Sequence, residues 1–395
     1  MQKVEVISLI KGYCEVQNKM RAIDSKRIIV KIGTSTLSSD GGLDYALIVD
    51  IARQISELRR DLREFIIITS GAIGAGCNEL GLTQRPQPKD LVLKQACAAI
   101  GQSNVMESYH NAFAIYNVPV AQILITYADF SDRKKYLNFR NCVERLLKLG
   151  VVPIINENDV LATDEITETF GDNDRLSAMV ASGVEAGLMI VLSDIDGLYD
   201  KDPRSAEDAR LVCVVDEITE DIMCMATSRS SPLSVGGMVS KIEAAKICMN
   251  AGCDMVIVNG REREIISRVL SGEEIGTFFV GSKKLSTKET WLMHSKEEGR
   301  IIVDAGAKEA ILQGKSLLPS GILKIEGRFE KNDVVLIGDF AKAIVDFSCD
   351  ELEKIKGKRS SDIESILKKK GKVVAKSENI VVCNFSYLKE KNITK

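Results

Sequence analysis

Between residues 27 and 281, short β-branched runs alternate with longer stretches whose apolar positions recur every three to four residues. The pattern predicts strands at 27–32, 65–69, 119–125, 151–155, 188–192 and 254–258. Helices are predicted between them at 45–59, 89–112, 134–149, 175–186 and 238–251. Strands that alternate with helices cannot pair as simple hairpins. They imply an α/β class, a mainly parallel sheet sandwiched by helices. The strands are nearly continuous apolar runs, as required when both faces are covered. Residues 282–300 are polar and charged and read as a linker. Beyond them the texture changes to short strands at 301–304, 321–326 and 334–337, with one helical stretch at 361–370, so a small β-rich domain is expected over 301–385. Residues 386–395 read as a tail and 1–24 as an extension. Met20 stands just ahead of the first strand, and residues 1–19 are expected to be a dispensable extension or a misassigned start.

A chain of 395 residues is too long for one ordinary core, and 45% hydrophobic with 28% charged residues fits a folded protein. No apolar run approaches the ~18 residues of a membrane-spanning helix. The chain does not open on a basic region with a small-residue cleavage site, so a cytoplasmic location is expected. The ten cysteines contain no C-x-x-C and are expected to be reduced and mostly buried. With only two histidines, His110 and His294, a zinc site or a Ser-His-Asp triad is poorly supplied. Chemistry must come from Lys, Asp, Asn, Ser and backbone amides. From Ile301 onward 18 Lys and Arg face 14 Asp and Glu, net +4, which leaves −7 on the rest. The C-terminal part therefore has a composition of its own.

Five segments can carry chemistry. Lys31-Ile32-Gly33-Thr34-Ser35 ends the first strand and offers a cation, close backbone approach and free N–H donors, all suited to phosphate. It is not a Walker A loop, because G-x-x-x-x-G-K-[ST] is absent. Thr69-Ser70-Gly71-Ala72 and the glycines after it let a helix start against the second strand and expose amides to an anion. Asn156-Glu157-Asn158-Asp159 is placed after the fourth strand and is followed by Gly171-Asp172-Asn173-Asp174. Their carboxylate and amide oxygens match the three donors of an ammonium group. Ser193-Asp194-Ile195-Asp196-Gly197-Leu198-Tyr199 begins a long polar loop after the fifth strand. Ser234-Val235-Gly236-Gly237-Met238-Val239-Ser240-Lys241 opens a helix with paired glycines and a lysine. Each has a purely structural reading as a turn, a tight junction, an N-cap or a surface loop. Ligands of an open parallel sheet bind beyond the carboxyl ends of its strands. Five such loops on one sheet edge point to a phosphate-handling site.

Together these segments resemble the amino-acid kinase family. The N-E-N-D, F-G-D-N-D and G-G-M-x-x-K elements resemble its glutamate 5-kinase branch. Val303-Asp304-Ala305-Gly306-Ala307 and residues 316–322 resemble the PUA domain that follows the kinase domain in many members of that branch. The resemblance implies phosphoryl transfer from ATP, with Mg²⁺, to the γ-carboxylate of L-glutamate in proline biosynthesis, by a homo-oligomer. It implies Lys31 and Lys241 as catalytic groups, with no metal ligand assigned to the protein. ATP is expected at Lys31, Gly33, Ser193, Asp194, Val235, Gly236, Gly237, Met238, Val239, Ser240 and Lys241. Glutamate is expected at Ser70, Gly71 and Asp159 and at Asn173, with Asn156, Asp172 and Asp174 as neighbours. Ser193 stands where threonine is common, and Val235 and Val239 stand where hydroxyl residues are common. A γ-carboxylate, with an ordinary pKa of about 4.3, is already ionised at neutral pH and needs no general base. Two other readings stay open. One is a phosphotransferase of the same family with a different acceptor. The other is RNA binding through the PUA-like domain, where Lys354, Lys356, Lys358, Arg359, Lys368, Lys369 and Lys370 would track phosphates. Glu351, Glu353, Asp362 and Glu364 are interspersed among these and favour a solvated helix face instead.

Overall fold

The computed structural model describes residues 24–39, 42–82, 84, 86–87, 90–162, 173–227, 237–281, 287–368 and 373–382. Among the expectations above, those on residues 1–23 and 386–395 and on Gly171, Asp172, Val235, Gly236, Lys369 and Lys370 fall outside these residues. Two compact units divide the chain, one built from residues up to 129 and 134–284, the other from 130–133 and 285 onward.

The first unit is organised by an eight-stranded sheet. Its strands in chain order are β1 (Arg27–Ile32), β2 (Glu64–Ile68), β3 (Val120–Ile125), β4 (Val152–Glu157), β5 (Leu188–Ser193), β6 (Val214–Val215), β7 (Asp254–Asn259) and β8 (Thr277–Phe279). In space they run β3-β4-β2-β1-β5-β7-β8-β6. All neighbours are parallel except β7 and β8. β1 and β5, in the middle of the sheet, are buried over nearly every residue, which is why they lack polar alternation. In the β1 register Lys31 lies opposite Ile68 of β2 and Val191 of β5. The carboxyl ends of the strands therefore meet along one edge. The six predicted strands all form; β6 and β8 escape the pattern because two or three residues are too few to show a period.

Helices connect the strands: α1 (Tyr45–Leu58), α2 (Ala72–Glu79), α3 (Leu91–Ala114), α4 (Arg133–Lys148), α5 (Asp174–Gly183) and α6 (Gly237–Asn250). The Asp44 carboxylate accepts from the Leu47 amide and caps α1; Asp90 does the same for α3 through Leu93. α2 and α3 pack unusually close. A methyl group on Gly76 would lie 1.8 Å from the Cys97 carbonyl oxygen, and one on Gly101 would lie 1.9 Å from that of Ala72. Gly71, the residue before α2, has φ 91°, a backbone that disfavours any side chain. Gly76 and Gly101 let α3 press against α2.

Two expectations change here. Asn156 and Glu157 were expected beyond the fourth strand but are its last residues, paired with Leu124 and Ile125 of β3 and buried. Polar residues ordinarily signal a strand end; here partners from other elements hold them inside. Thiol burial was overstated as well: among the described residues Cys77, Cys97, Cys248 and Cys253 are buried, whereas Cys142, Cys213 and Cys224 are exposed. Burial pushes the Cys97 thiol up to about 11, with a contribution from the neighbouring Cys77 thiol, as befits an inert structural cysteine.

The second unit carries a five-stranded sheet. Its strands are β9 (Gly299–Val303), β10 (Ile322–Gly327), β11 (Val334–Ile337), β12 (Ala341–Ile344) and β13 (Ile380–Val382), in spatial order β10-β9-β11-β12-β13. Within the stretch read as a linker, Thr287–His294 forms a helix, α7, in which Trp291 and Leu292 are buried. The surrounding charges hid that short apolar pair. Lys342 of β12 is buried, and its ammonium donates to the Met293 and Ser295 carbonyls and pairs with Glu297 at 2.8 Å. It thus fixes the chain that leaves α7. Between β9 and β10 lies a helix, α8 (Ala305–Leu312), and after β12 another, α9 (Cys349–Ile355). Neither was predicted, although Ser348 and Glu351 form a reciprocal capping box at the start of α9. The helix expected over 361–370 is shorter, Ile363–Leu367.

Candidate active site

Three residues from three elements meet at the carboxyl edge of the large sheet. Lys31 is the fifth residue of β1, Asp174 the first of α5, and Lys241 the fifth of α6. The Lys31 ammonium stands 2.6 Å from one Asp174 carboxylate oxygen, and the Lys241 ammonium stands 3.2 Å from the other. Ser240 also donates to the second oxygen, at 2.8 Å. Relative exposures are 0% for Lys31, 0% for Asp174 and 5% for Lys241. Burial by itself would raise the Asp174 carboxyl. The fields of Lys31 and then Lys241, with hydrogen bonds from Lys31 and Ser240, outweigh it and hold the group well below the usual carboxylate range. Asp174 is therefore ionised, and its place in the first turn of α5 puts the negative charge at the favourable end of the helix dipole.

Lys241 is fastened a second time, because its ammonium donates to the Gly237 carbonyl one turn earlier in α6 at 3.0 Å. The Gly33 amide donates to the Leu192 carbonyl, joining the β1 loop to β5. A methyl on Gly33 would sit 3.7 Å from the Lys31 ammonium and 3.4 Å from the Leu192 oxygen. Glycine keeps the space beside the lysine open.

The second group of expected residues forms a hydrogen-bonded relay. Asn173 is positioned as the N-cap of α5, yet its side chain does not cap the helix. Its amide nitrogen donates instead to the Thr69 carbonyl at 2.8 Å and to Asn156 Oδ1 at 2.8 Å, with Ser70 Oγ at 3.5 Å. Asn156 Nδ2 in turn donates to Gln102 Oε1 of α3 at 2.8 Å. The Thr69 hydroxyl lies 3.0 Å from the Tyr109 hydroxyl, whose ionisation is pushed far up by burial. Ser70 and Asn156 are buried, while Asp159 sits partly exposed in the turn after β4. Gln102 and Tyr109 escaped the sequence reading. Gln102 and Tyr109 lie inside a predicted helix, where nothing in the local pattern separates a site residue from a core one.

The remaining expected positions lie along the same edge. Ser193 ends β5 and is buried, with its hydroxyl 3.2 Å from the exposed Asp194 carboxylate. Further along this loop Asp196 accepts from Asn259 at 3.0 Å and from Tyr199 at 2.8 Å. Gly237, Met238 and Val239 form the first turn of α6. Asp174, expected near the amino-acid substrate, makes its contacts with the two lysines and Ser240.

This fold and edge define a member of a phosphotransferase family. The family model described as "Amino acid kinase family" matches residues 26–259, and the PUA domain model matches residues 299–367. Three curated relatives are each named glutamate 5-kinase. That of Methanosarcina mazei is 46% identical over 357 residues, covering 87% of this chain and 92% of its own. That of Caldanaerobacter subterraneus subsp. tengcongensis is 47% identical over 350 residues, with coverages of 86% and 93%. The Pelobacter propionicus protein is 44% identical over 367 residues, covering 90% and 97%. The chain belongs to the amino acid kinase family, in its glutamate 5-kinase branch.

Proposed function

We infer that the chain transfers the γ-phosphoryl group of ATP to the γ-carboxylate of L-glutamate, giving L-glutamate 5-phosphate, the first step of proline biosynthesis. The observation that carries this reading is the convergence of Lys31 and Lys241 on one buried carboxylate, next to the Asn173–Asn156 relay. A γ-carboxylate oxygen attacks the γ-phosphorus, the P–O bond to the β-phosphate breaks, and ADP leaves with the electron pair. The nucleophile is already ionised, so no base is needed. The barrier lies in bringing a carboxylate against a polyphosphate and in holding the two in line. Lys31 and Lys241 offset that repulsion and the charge spread over the transferring group. Asp174 acts as a positioning residue that holds both ammonium tips at a set spacing, so little reorganisation accompanies the reaction.

Nucleotide is assigned to Lys31, Gly33, Ser193, Asp194 and residues 235–241, and glutamate to Ser70, Gly71, Asn156, Asp159 and residues 172–173. Among the described residues no three His, Cys, Asp or Glu side chains cluster as a metal cage. Mg²⁺ ordinarily takes one or two carboxylates together with substrate phosphates, so the residues here fit an ion that arrives with the nucleotide. Its contribution when bound is to neutralise phosphate charge. A homo-oligomer in the cytoplasm is part of the same proposal. No described helix is long and apolar enough to cross a membrane.

The test is ADP release with glutamate, N-acetylglutamate, aspartate and UMP as separate acceptors. Hydroxylamine trapping of the acyl phosphate and a Lys31→Ala control accompany it. Turnover with glutamate alone supports the reading; turnover with another acceptor and not glutamate refutes it.

A further inference from the structure

The relay described above has a direction, and its free end is a donor. A backbone carbonyl can only accept, so the Asn173 group that meets the Thr69 oxygen must be its NH₂. Asn156 therefore turns its oxygen toward Asn173 and its nitrogen toward Gln102. Gln102 must then turn its oxygen toward Asn156. What is left over is the Gln102 NH₂, two N–H donors on Nε2. Gln102 is 9% exposed, and its Nε2 is buried without any hydrogen-bond partner. A buried donor left unmatched is rare in native proteins and is relieved only by an oxygen.

The position of this donor is as telling as its vacancy. Gln102 is tied through Asn156 to Asn173, whose amide also reaches the Thr69 carbonyl and Ser70 Oγ. The relay runs from Asn173, next to Asp174 and the lysines, to Gln102. An amino-acid acceptor assigned to Ser70 and Asn173 would lie beside that relay.

We propose that Gln102 is a specificity-determining residue of the acceptor pocket, donating from Nε2 to the α-carboxylate of the amino-acid acceptor. The proposal rests on the glutamate-kinase reading above. Nε2 is buried, so binding includes a small local movement that admits the carboxylate oxygen. In return the acceptor gains a charge-assisted hydrogen bond from a donor that no group of the protein matches. A ligand lacking that carboxylate leaves the donor unmatched, which is the circumstance in which enzymes discriminate most strongly.

Gln102→Glu is the informative variant, because it keeps an oxygen facing Asn156 and puts a negatively charged oxygen in place of the donor. Initial rates are measured with L-glutamate and with its α-carboxamide, each at saturating ATP. The KM for glutamate is expected to rise about 10- to 100-fold, the range for losing a hydrogen bond to a charged group. The KM for ATP should stay within about twofold, and the preference for glutamate over the α-carboxamide should fall at least about tenfold. Gln102→Met, similar in length and without a donor, should also raise the KM for glutamate. An unchanged KM and preference in folded variants would overturn the proposal and leave Gln102 a structural residue. If neither variant folds, the Gln102 side-chain NH₂ resonances of the wild-type chain decide. A downfield shift on saturation with glutamate supports the proposal, and no shift overturns it. Failure of the wild-type chain to phosphorylate glutamate at all is a different result, which refutes the parent reading instead.

Discussion

Replacing Asp174 by asparagine removes one charge at nearly constant shape and tests the geometry at its centre. With contacts of 2.6 and 3.2 Å, Coulomb's law at an effective dielectric of about 20 gives about 6 and 5 kcal/mol for the two pairs. Desolvation of three buried groups cancels much of this gross attraction. Truncation of one member of a buried ionic cluster typically costs about 3–5 kcal/mol, because the partners remain charged and unmatched. Against a total stability of about 5–15 kcal/mol the variant should still fold. Its first thermal transition should fall by about 10 °C, taking about 2–4 °C per kcal/mol for a unit of this size. Activity should suffer more. Two ammonium groups no longer tied to one carboxylate repel each other and lose their spacing, and kcat should fall about 10²–10³-fold, as for other preorganised donors. The folded-state carboxyl is held below its ordinary pKa of about 3.9, so its stabilising effect is complete above that pH and lost as pH falls below it. Differential scanning calorimetry of both chains should show a constant gap from about pH 5 to 8 that begins to narrow as pH falls below about 4. A variant that melts within 2 °C of wild type and keeps half of its kcat would falsify the account of Asp174 as the holder of both lysines.

Lys241→Ala should lower kcat by about 10²–10³-fold; if only the KM for ATP rises, the lysine binds nucleotide without acting in the transition state. Asp159→Ala should raise the KM for glutamate about tenfold with the KM for ATP unchanged, and an effect confined to ATP would move this residue to the nucleotide side. Gly101→Ala drives a methyl group into the Ala72 carbonyl, and urea unfolding should show about 2–3 kcal/mol of destabilisation. Lys342→Met leaves the Glu297 carboxylate and two carbonyls without their shared donor; loss of about 1–3 kcal/mol from the second unit's transition is expected, and no change would make that contact dispensable.

The amino-acid order alone was enough for the class of fold and for the loops that meet at the candidate site. Covered strands read as unbroken apolar runs, helices show their period, and loops beyond strand ends stand out by Gly, Asn, Asp and Lys. Those signals are local, and they placed Lys31, Asn173 and Lys241 on one edge before any distance was known. Short elements were less legible. β6 and β8 are too brief for a period, and charged neighbours mask α7 around Trp291. The tertiary structure decided which side chain serves which. Asp174 looks like its neighbours Asp172 and Asn173 in the chain. Only the crossing of β1, α5 and α6 puts it between two lysines 143 residues before it and 67 after it. Gln102 is silent in sequence because its meaning lies in a hydrogen-bond direction, set by the Thr69 carbonyl and passed through two asparagines from other elements. A residue's chemical type is written in the chain, but whether its donors and charges are matched depends on what the fold places within 3 Å, and no local pattern records that.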